Sequence, residues 1–418
     1  MATLHPTRRV QALMPLYVQR FACIGAQCED TCCSGWTVAI DKKTYESYLQ
    51  TDQAALAERM SAAVQRLDPP PSDAHHARIA LQPDTGECPL LEERLCAVQK
   101  ALGEDKLSDV CFTYPRKVQQ AGEVYQQALS LSCPEAARLA LLAEDAFEFT
   151  EGPIAVRPAV VAQLQPQSGL SLDLMNEVRF FCLQVVRGEG LQLWQKLAVL
   201  GLFCERLEQA LQAGAPGRVA DLMQSTRELI TSGQAAALCE GIAAQHDMQA
   251  LTFHLLWRFS ETLHARPTQR GVFEAIAAGL GADPHTGELP QAQLIARYQE
   301  GLALLPTALQ AAPVLMQHLV LNDMLRDMFP FGSNASDDKA KPSAQFLRLA
   351  ARFGLVRFML AVQCRTDAPL PQPSALVRTV QVFARRFQHD TGFAARVDTC
   401  FESMGWGGVE KLFRLLSP

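Results

Sequence analysis

The chain has 418 residues, 48% hydrophobic and 20% charged, with a net charge of -6. These proportions are ordinary for a folded globular protein with room for two or three domains. An acidic balance without a Lys/Arg cluster excludes a general nucleic-acid binder. A secretory leader is not expected, because the apolar stretch Met14-Pro-Leu-Tyr-Val18 is short and lies between Arg9 and Arg20.

In chain order, residues 1 to 22 read as an arm leading to the first cysteine. Trp36-Thr-Val-Ala-Ile40 is β-branched and weakly alternating, which predicts a short strand. Asp41 stands where a cap is wanted, ahead of a helix from Lys42 to Leu67 that Pro69-Pro-Pro71 ends. His75 to Leu81 reads as a strand and Asp84-Thr-Gly86 as a turn. Short helices are expected near Leu95 to Leu102 and Leu107 to Cys111. Val124 to Leu131 reads as extended, and Pro134 opens a helix running to about Phe147.

Beyond residue 150 turn signals thin out and Ala/Leu/Gln/Arg segments take over. Apolar residues at three- and four-residue spacing predict helices near 172–188, 190–213, 218–231, 234–264, 290–304, 308–328, 343–364, 373–389 and 408–416. The uncharged run Gly301 to Asn322 has membrane-spanning length. Its Pro306, Gln310, Pro313, Gln317 and His318 make it a buried helical hairpin instead of a membrane span. Pro330 to Pro342 reads as a long polar loop. The expected architecture is mainly α: residues 1–150 form a cysteine-rich domain with a few short strands, and 151–418 an all-helical domain.

The thirteen cysteines are unevenly spread. Eight lie in the 111 residues from Cys23 to Cys133, and five in the 285 residues that follow. The later five suit small buried hydrophobes. Cys23, Cys28, Cys32 and Cys33, interspersed with Gly, Gln, Glu and Asp, have the density of thiolate ligands, and Cys88, Cys96, Cys111 and Cys133 extend the set. A cytoplasmic location follows from the missing leader, and in a reducing compartment clustered thiols favour metal over disulfides. Cys28-x3-Cys32 has zinc-pair spacing, but the later gaps are wide. The radical-enzyme spacing Cys-x3-Cys-x2-Cys fails because Gly35 holds its last place. Spacing therefore leaves zinc and an iron–sulfur cluster open. The adjacent Cys32 and Cys33 are expected to point apart, one ligating and one packing.

Phe21-Ala-Cys-Ile-Gly-Ala-Gln-Cys28-Glu-Asp-Thr-Cys-Cys33-Ser-Gly-Trp36 resembles the opening of the flagellin lysine-N-methylases. The resemblance continues through Ile40-Asp41, Cys88-Pro-Leu-Leu91, Leu95-Cys96, Leu107-Ser108, Cys111-x2-Tyr114-Pro-Arg116 and Ser132-Cys133-Pro134, so it covers about residues 14 to 140. It implies methyl transfer from S-adenosylmethionine to lysine side chains of flagellin, with a four-iron, four-sulfur cluster and zinc as the alternative occupant. The candidate ligands are the eight matching cysteines as a group.

Such a reaction needs the neutral amine, and a free lysine with a pKa of about 10.4 is almost wholly protonated at pH 7. The site must desolvate the ammonium or place a base beside it. Glu29 and Asp30, which stand among the ligand candidates, are the leading bases, ahead of Glu92, Glu93 and Asp109. Tyr114 is a candidate orienting hydroxyl. No dinucleotide-type glycine motif follows a strand, and Gly405-Trp-Gly-Gly408 reads as a turn, so no motif marks a donor site. Trp194, Trp257 and Trp406 read as packing residues, and His246, His254 and His264 are too far apart in the chain for a tight metal pair. The residues alone also admit a non-enzymatic adaptor stapled by zinc or a cluster, or an iron- or redox-handling protein.

Overall fold

The computed structural model describes residues 4–166, 169–261, 267–283, 286–332, 341–390, 392–406 and 408–418. His264, Gly407 and residues 333–340 of the polar stretch lie outside them. Among the described residues the protein is mainly α, with eighteen α-helices and ten strands.

The strands are β1 Arg8–Pro15, β2 Val38–Ile40, β3 Val64–Arg66, β4 Ala77–Ile79, β5 Leu91–Glu92, β6 Leu95–Cys96, β7 Arg116–Ala121, β8 Val124–Leu129, β9 Phe149–Val156 and β10 Ala162–Gln163. The largest sheet has the order β10-β7-β8-β1-β9. The expected N-terminal arm is in fact β1, one of its inner strands. β1 runs parallel to β8 and pairs antiparallel with β9 from Arg8↔Val156 to Pro15↔Phe149. A second sheet, β2-β4-β3, carries the helices Lys42–Leu49 and Ala54–Ala63. These replace the single helix expected from Lys42 to Leu67, because Gln50-Thr-Asp-Gln53 offers no apolar position to carry the periodicity across. Asp41 caps the first of them, accepting from the Thr44 N–H at 3.0 Å.

Hydrophobic packing falls into two clusters. The small one gathers residues between Val38 and Leu107, with Cys33, Trp36, Cys96 and Cys111 packed against it. The large one joins one face of the five-stranded sheet to the later helices. Tyr17 pins that joint: its hydroxyl donates to Asn322 Oδ1 at 2.5 Å and accepts from the Leu129 N–H at 2.9 Å. The helix Pro342–Ala361 runs through the large cluster and is buried along most of its length. Gly301, in the helix Gln291–Ala308, packs so closely that an added Cβ would collide with the Ala361 carbonyl. Arg357 on the buried helix donates to the carbonyls of Leu415, Leu416 and Ser417, satisfying the acceptors left at the end of the final helix, Val409–Leu416.

No single helix among the described residues is long and apolar enough to cross a membrane. The expected hairpin over Gly301 to Asn322 is a pair of helical segments bent by 84°, and its second helix, Leu315–Arg326, is buried. The helix expected over 234–264 is two, Gln234–Glu240 and His246–Glu261, broken at Gly241. Helices Pro267–Leu280 and Phe393–Ser403 have no counterpart in the sequence reading.

Candidate functional site

Short backbone contacts fold the cysteine-rich segment. A 3-10 turn at Gly25–Gln27 separates Cys23 from Cys28. Ser34 bridges to Glu87, and the Cys88 N–H donates to the Cys33 carbonyl at 2.7 Å, which sets these two cysteines side by side. Cys88 leads into the β5–β6 hairpin, whose register pairs Leu91 with Cys96. Its turn residues Glu93 and Arg94 have φ of 49° and 66°, a left-handed conformation that non-glycine residues rarely adopt. The Arg94 guanidinium donates to the Cys28 carbonyl. Ser108 caps the helix Asp109–Thr113 that carries Cys111, and Cys133 is the N-cap of the helix Pro134–Leu142, with Pro134 at its first position as expected.

The eight candidate ligands fall into two electrostatically linked groups. Cys32, Cys33, Cys88, Cys96 and Cys111 form one; Cys23, Cys28 and Cys133 form the other. Within the first, hydrogen bonding with Cys33 pulls the Cys32 and Cys96 thiols down, to about 7 and about 6, and pushes Cys33 up. Cys32 and Cys33 therefore do not diverge. Both sit in bends, where strand alternation does not apply. Burial pushes Cys111 and Cys133 up to about 12. All-sulfur donors suit zinc or an iron–sulfur cluster. Among the described residues no three sulfurs lie within 4.8 Å of one another. The five later cysteines, Cys182, Cys204, Cys239, Cys364 and Cys400, are buried, as small hydrophobes would be.

The later helices close over this segment. Asp30 is 3% exposed; it accepts from the Thr31 N–H at 2.8 Å and from Gln381 Nε2 at 3.3 Å, with Arg378 and Arg385 at 3.6 and 3.8 Å. Burial disfavours its charge, but Arg385, the Thr31 N–H and Arg378 outweigh that and hold the carboxyl below its usual value. Arg385 also donates to the carbonyls of Thr31 and Ser34 at 2.6 and 3.0 Å. Asp30 is thus an anchor between the cysteine segment and the helix Pro373–Phe383. Glu29 is exposed and paired with Arg138 at 3.0 Å.

A depressed carboxyl stabilises the fold above its unfolded pKa, near 3.9, and that contribution is lost as pH falls through the folded value. Asp30→Asn should therefore lower stability by about 1–3 kcal/mol at pH 7, the scale of hydrogen bonds to a buried charge. Thermal melts of parent and variant should converge in acid. A gap unchanged down to about pH 2 would deny Asp30 this role.

Beside Asp30 lies an aromatic notch. Trp36 and Tyr114 have ring centroids 5.6 Å apart, and His389 completes a triangle at 6.4 and 6.5 Å. Trp36 is held by its indole N–H on the Cys32 carbonyl, 2.7 Å. Ser132 joins the polar edges: its Oγ is 3.0 Å from the Tyr114 hydroxyl, 2.9 Å from His389 Nε2 and 2.8 Å from Ser130 Oγ. A π-helical turn, Ala384–Gln388, delivers His389, whose outer edge is exposed. Burial of the ring's inner side, then Arg326, Arg385 and Lys117, push His389 down to about 4, and burial pushes the Tyr114 hydroxyl up. Both groups are neutral near pH 7. Rings this close pack on one another, and it is the exposed outer edge of this notch that can take an alkylammonium by cation–π contact and favour its free amine.

The sequence reading reached Tyr114 and the cysteines but not His389, Gln381 or Arg385. Nothing local marks these three; only their contacts with residues some 250 to 350 positions earlier do. A separate trio, His5, Asp41 and Asp109, brings its ligand atoms within 4.8 Å of one another. Asp41 is occupied by Thr44 and Asp109 by Arg157, so the trio fastens the N-terminus to two helix starts.

Fold and site together define a mainly α protein in which a thiol-dense segment is built against a helical scaffold. Residues 179–415, more than half of the chain, match the model of the FliB lysine N-methylase C-terminal domain, and the chain belongs to that family. It is 33% identical over 180 residues to the lysine-N-methylases of Salmonella typhimurium and Salmonella choleraesuis, a stretch covering 43% of this chain and 43% of each of theirs. The chain thus matches less than half of those relatives' length. It is 34% identical over 145 residues, 34% of this chain, to the flagellar biosynthetic protein FliU of Salmonella muenchen, covering 85% of that protein. No solved structure matches the chain.

Proposed function

We propose that this protein is a cytoplasmic lysine N-methyltransferase that methylates flagellin from S-adenosylmethionine and holds an iron–sulfur cluster. One observation carries the reading: Gln381, Arg385 and His389, from the region that matches the family, close directly over the cysteine segment at Asp30, Ser34 and Ser132. These contacts support reading the thiols and the family region as one site. The lysine-N-methylase names of two relatives and the flagellar name of a third support the activity and the substrate.

The cluster would be held from the five-thiol group, where it would supply an open iron able to bind the amino and carboxylate groups of the donor. The remaining work falls to the chain. The substrate lysine docks against the outer edge of the Trp36, Tyr114 and His389 group, where His389 is exposed. Desolvation there, with Arg385, Arg326 and Lys117 nearby, disfavours the ammonium, and its proton passes to water at the open edge. His389, held at Nε2 by Ser132, accepts an amine N–H through its other ring nitrogen and aims the nitrogen lone pair. The amine nitrogen attacks the donor methyl carbon, and the carbon–sulfur bond breaks with its electron pair going to sulfur. Methyl-lysine and S-adenosylhomocysteine leave, and a second proton is released from nitrogen.

The test is chemical analysis of protein purified without oxygen, followed by mass spectrometry of flagellin incubated with protein and donor. Iron and sulfide at about four each per chain, with 14-Da increments on flagellin lysines, are expected. Stoichiometric zinc without sulfide, and unmodified flagellin, would leave a stapled adaptor in place of an enzyme.

A further inference from the structure

A cavity of about 240 Å³ lies where the end of the helix Leu172–Arg187 meets the helices Leu193–Gln212 and Val219–Thr231. At roughly 30 Å³ per water in the liquid, that is the volume of about eight waters, room for a small organic molecule. Its lining lies within the region that matches the family and shares no residue with the thiol segment or the aromatic notch. Phe181, Val185, Leu191 and Ile230 make its walls apolar. Two cations stand among them. Lys196 is 6% exposed, and its Nζ donates to the Val186 carbonyl at 3.0 Å, the one hydrogen bond it makes among the described residues. That bond satisfies a carbonyl at the end of the helix Leu172–Arg187, but it leaves two of the ammonium's three N–H donors unused. A buried ammonium without a counter-ion is costly. The Arg227 guanidinium lies over the Phe181 ring, 5.1 Å from its centroid, and has no ion pair or hydrogen bond among the described residues.

Glu189, exposed at the rim, is the only carboxylate in the lining. Two cations against one carboxylate leave a single positive charge, which a monoanion balances. The guanidinium fork presents paired N–H groups in the geometry of a carboxylate, and Lys196 adds a further donor. The apolar walls then want a hydrocarbon body. Inorganic phosphate matches neither requirement, since it approaches two negative charges at neutral pH and carries no apolar surface. We infer that this cavity binds a small aliphatic monocarboxylate, its carboxylate between Arg227 and Lys196 and its hydrocarbon against Phe181, Val185 and Leu191. The inference is independent of the methyl-transfer reading above, because none of these groups takes part in it.

Isocaproate, an acid of this size, is the probe, added to the full-length protein and followed by ligand-observed NMR and by the melting temperature. It should bind the parent and raise its melting temperature. Isocaproamide has the same shape without the charge and should bind about tenfold more weakly, the scale of a lost charge-assisted hydrogen bond. Arg227→Gln, at an exposed position, should melt like the parent without ligand and weaken isocaproate about tenfold, and Arg227→Lys should recover part of that loss. Failure of the parent to bind isocaproate, equal binding of acid and amide, or unaltered binding by Arg227→Gln would each overturn the assignment. A leucine-ended peptide that binds where the free acid does not would overturn it as well, by giving the cavity to a chain terminus. Each of these outcomes leaves flagellin methylation to its own test.

Discussion

Cys33→Ala protein, purified without oxygen, is expected to carry almost no iron or sulfide, whereas Cys133→Ala should keep about four of each per chain. The Cys33 thiol interacts with both Cys32 and Cys96, lowering their thiols while its own is raised, and its carbonyl receives the Cys88 N–H. It therefore sits where three other candidate ligands meet, and its loss removes a sulfur from the middle of the group. Cys133 is linked instead to Cys23 and Cys28. It lies on the far side of Ser132 in sequence and caps a helix through its backbone, which alanine preserves. Iron and acid-labile sulfide assays, with the visible spectrum, read the difference. Retention of the cluster by Cys33→Ala, or its loss from Cys133→Ala alone, would reverse the assignment of the two groups.

The second large effect concerns His389. His389→Ala should lower the rate of flagellin methylation about 100-fold, the scale of a lost hydrogen-bond acceptor that orients the nucleophile. Iron content and melting temperature should stay at the parent's values, because the ring is exposed at its outer edge and its polar contacts are to Ser130 and Ser132. Trp36→Ala should raise KM for flagellin more than it lowers kcat, since the indole supplies cation–π attraction before the methyl moves. In the parent, the rate should rise with pH through an apparent pKa below the free lysine value of about 10.4, because desolvation and neighbouring cations both favour the neutral amine. A profile still following the free value would show that the notch does not bind the reacting lysine.

Much of the helical architecture was legible because amphipathic periodicity survives in long segments such as Leu172–Arg187, Leu193–Gln212 and Pro342–Ala361. Strands were harder. β1 opens on two arginines and mixes polar with apolar residues, and it takes its place only by pairing with chain more than 110 residues away. β9 contains Gly152 and Pro153, which read as breakers; Pro153 is tolerated because β9 is the edge of the sheet. The helix Pro267–Leu280 was hidden by Gly271 and Gly279, the latter excluded from bearing a side chain by the Val362 carbonyl. At the site, thiol density singled out the eight candidates, yet their division into two groups depends on the Cys88 N–H bond to the Cys33 carbonyl and on the β5–β6 hairpin. The role of His389 was illegible for a plainer reason: Arg385-Arg-Phe-Gln-His389 continues a helical pattern, and only the π-helical turn rotates it toward Ser132.

The contacts from Asp30 and Thr31 to Gln381 and Arg385 span 351 and 354 residues of chain. At 5–20 residues per second, a ribosome needs roughly 20–70 s to add that length. Throughout this interval the cysteine segment has been made but its cover has not. On the proposed function, synthesis itself provides a window in which iron and sulfide can reach the thiols before the later helices cover them.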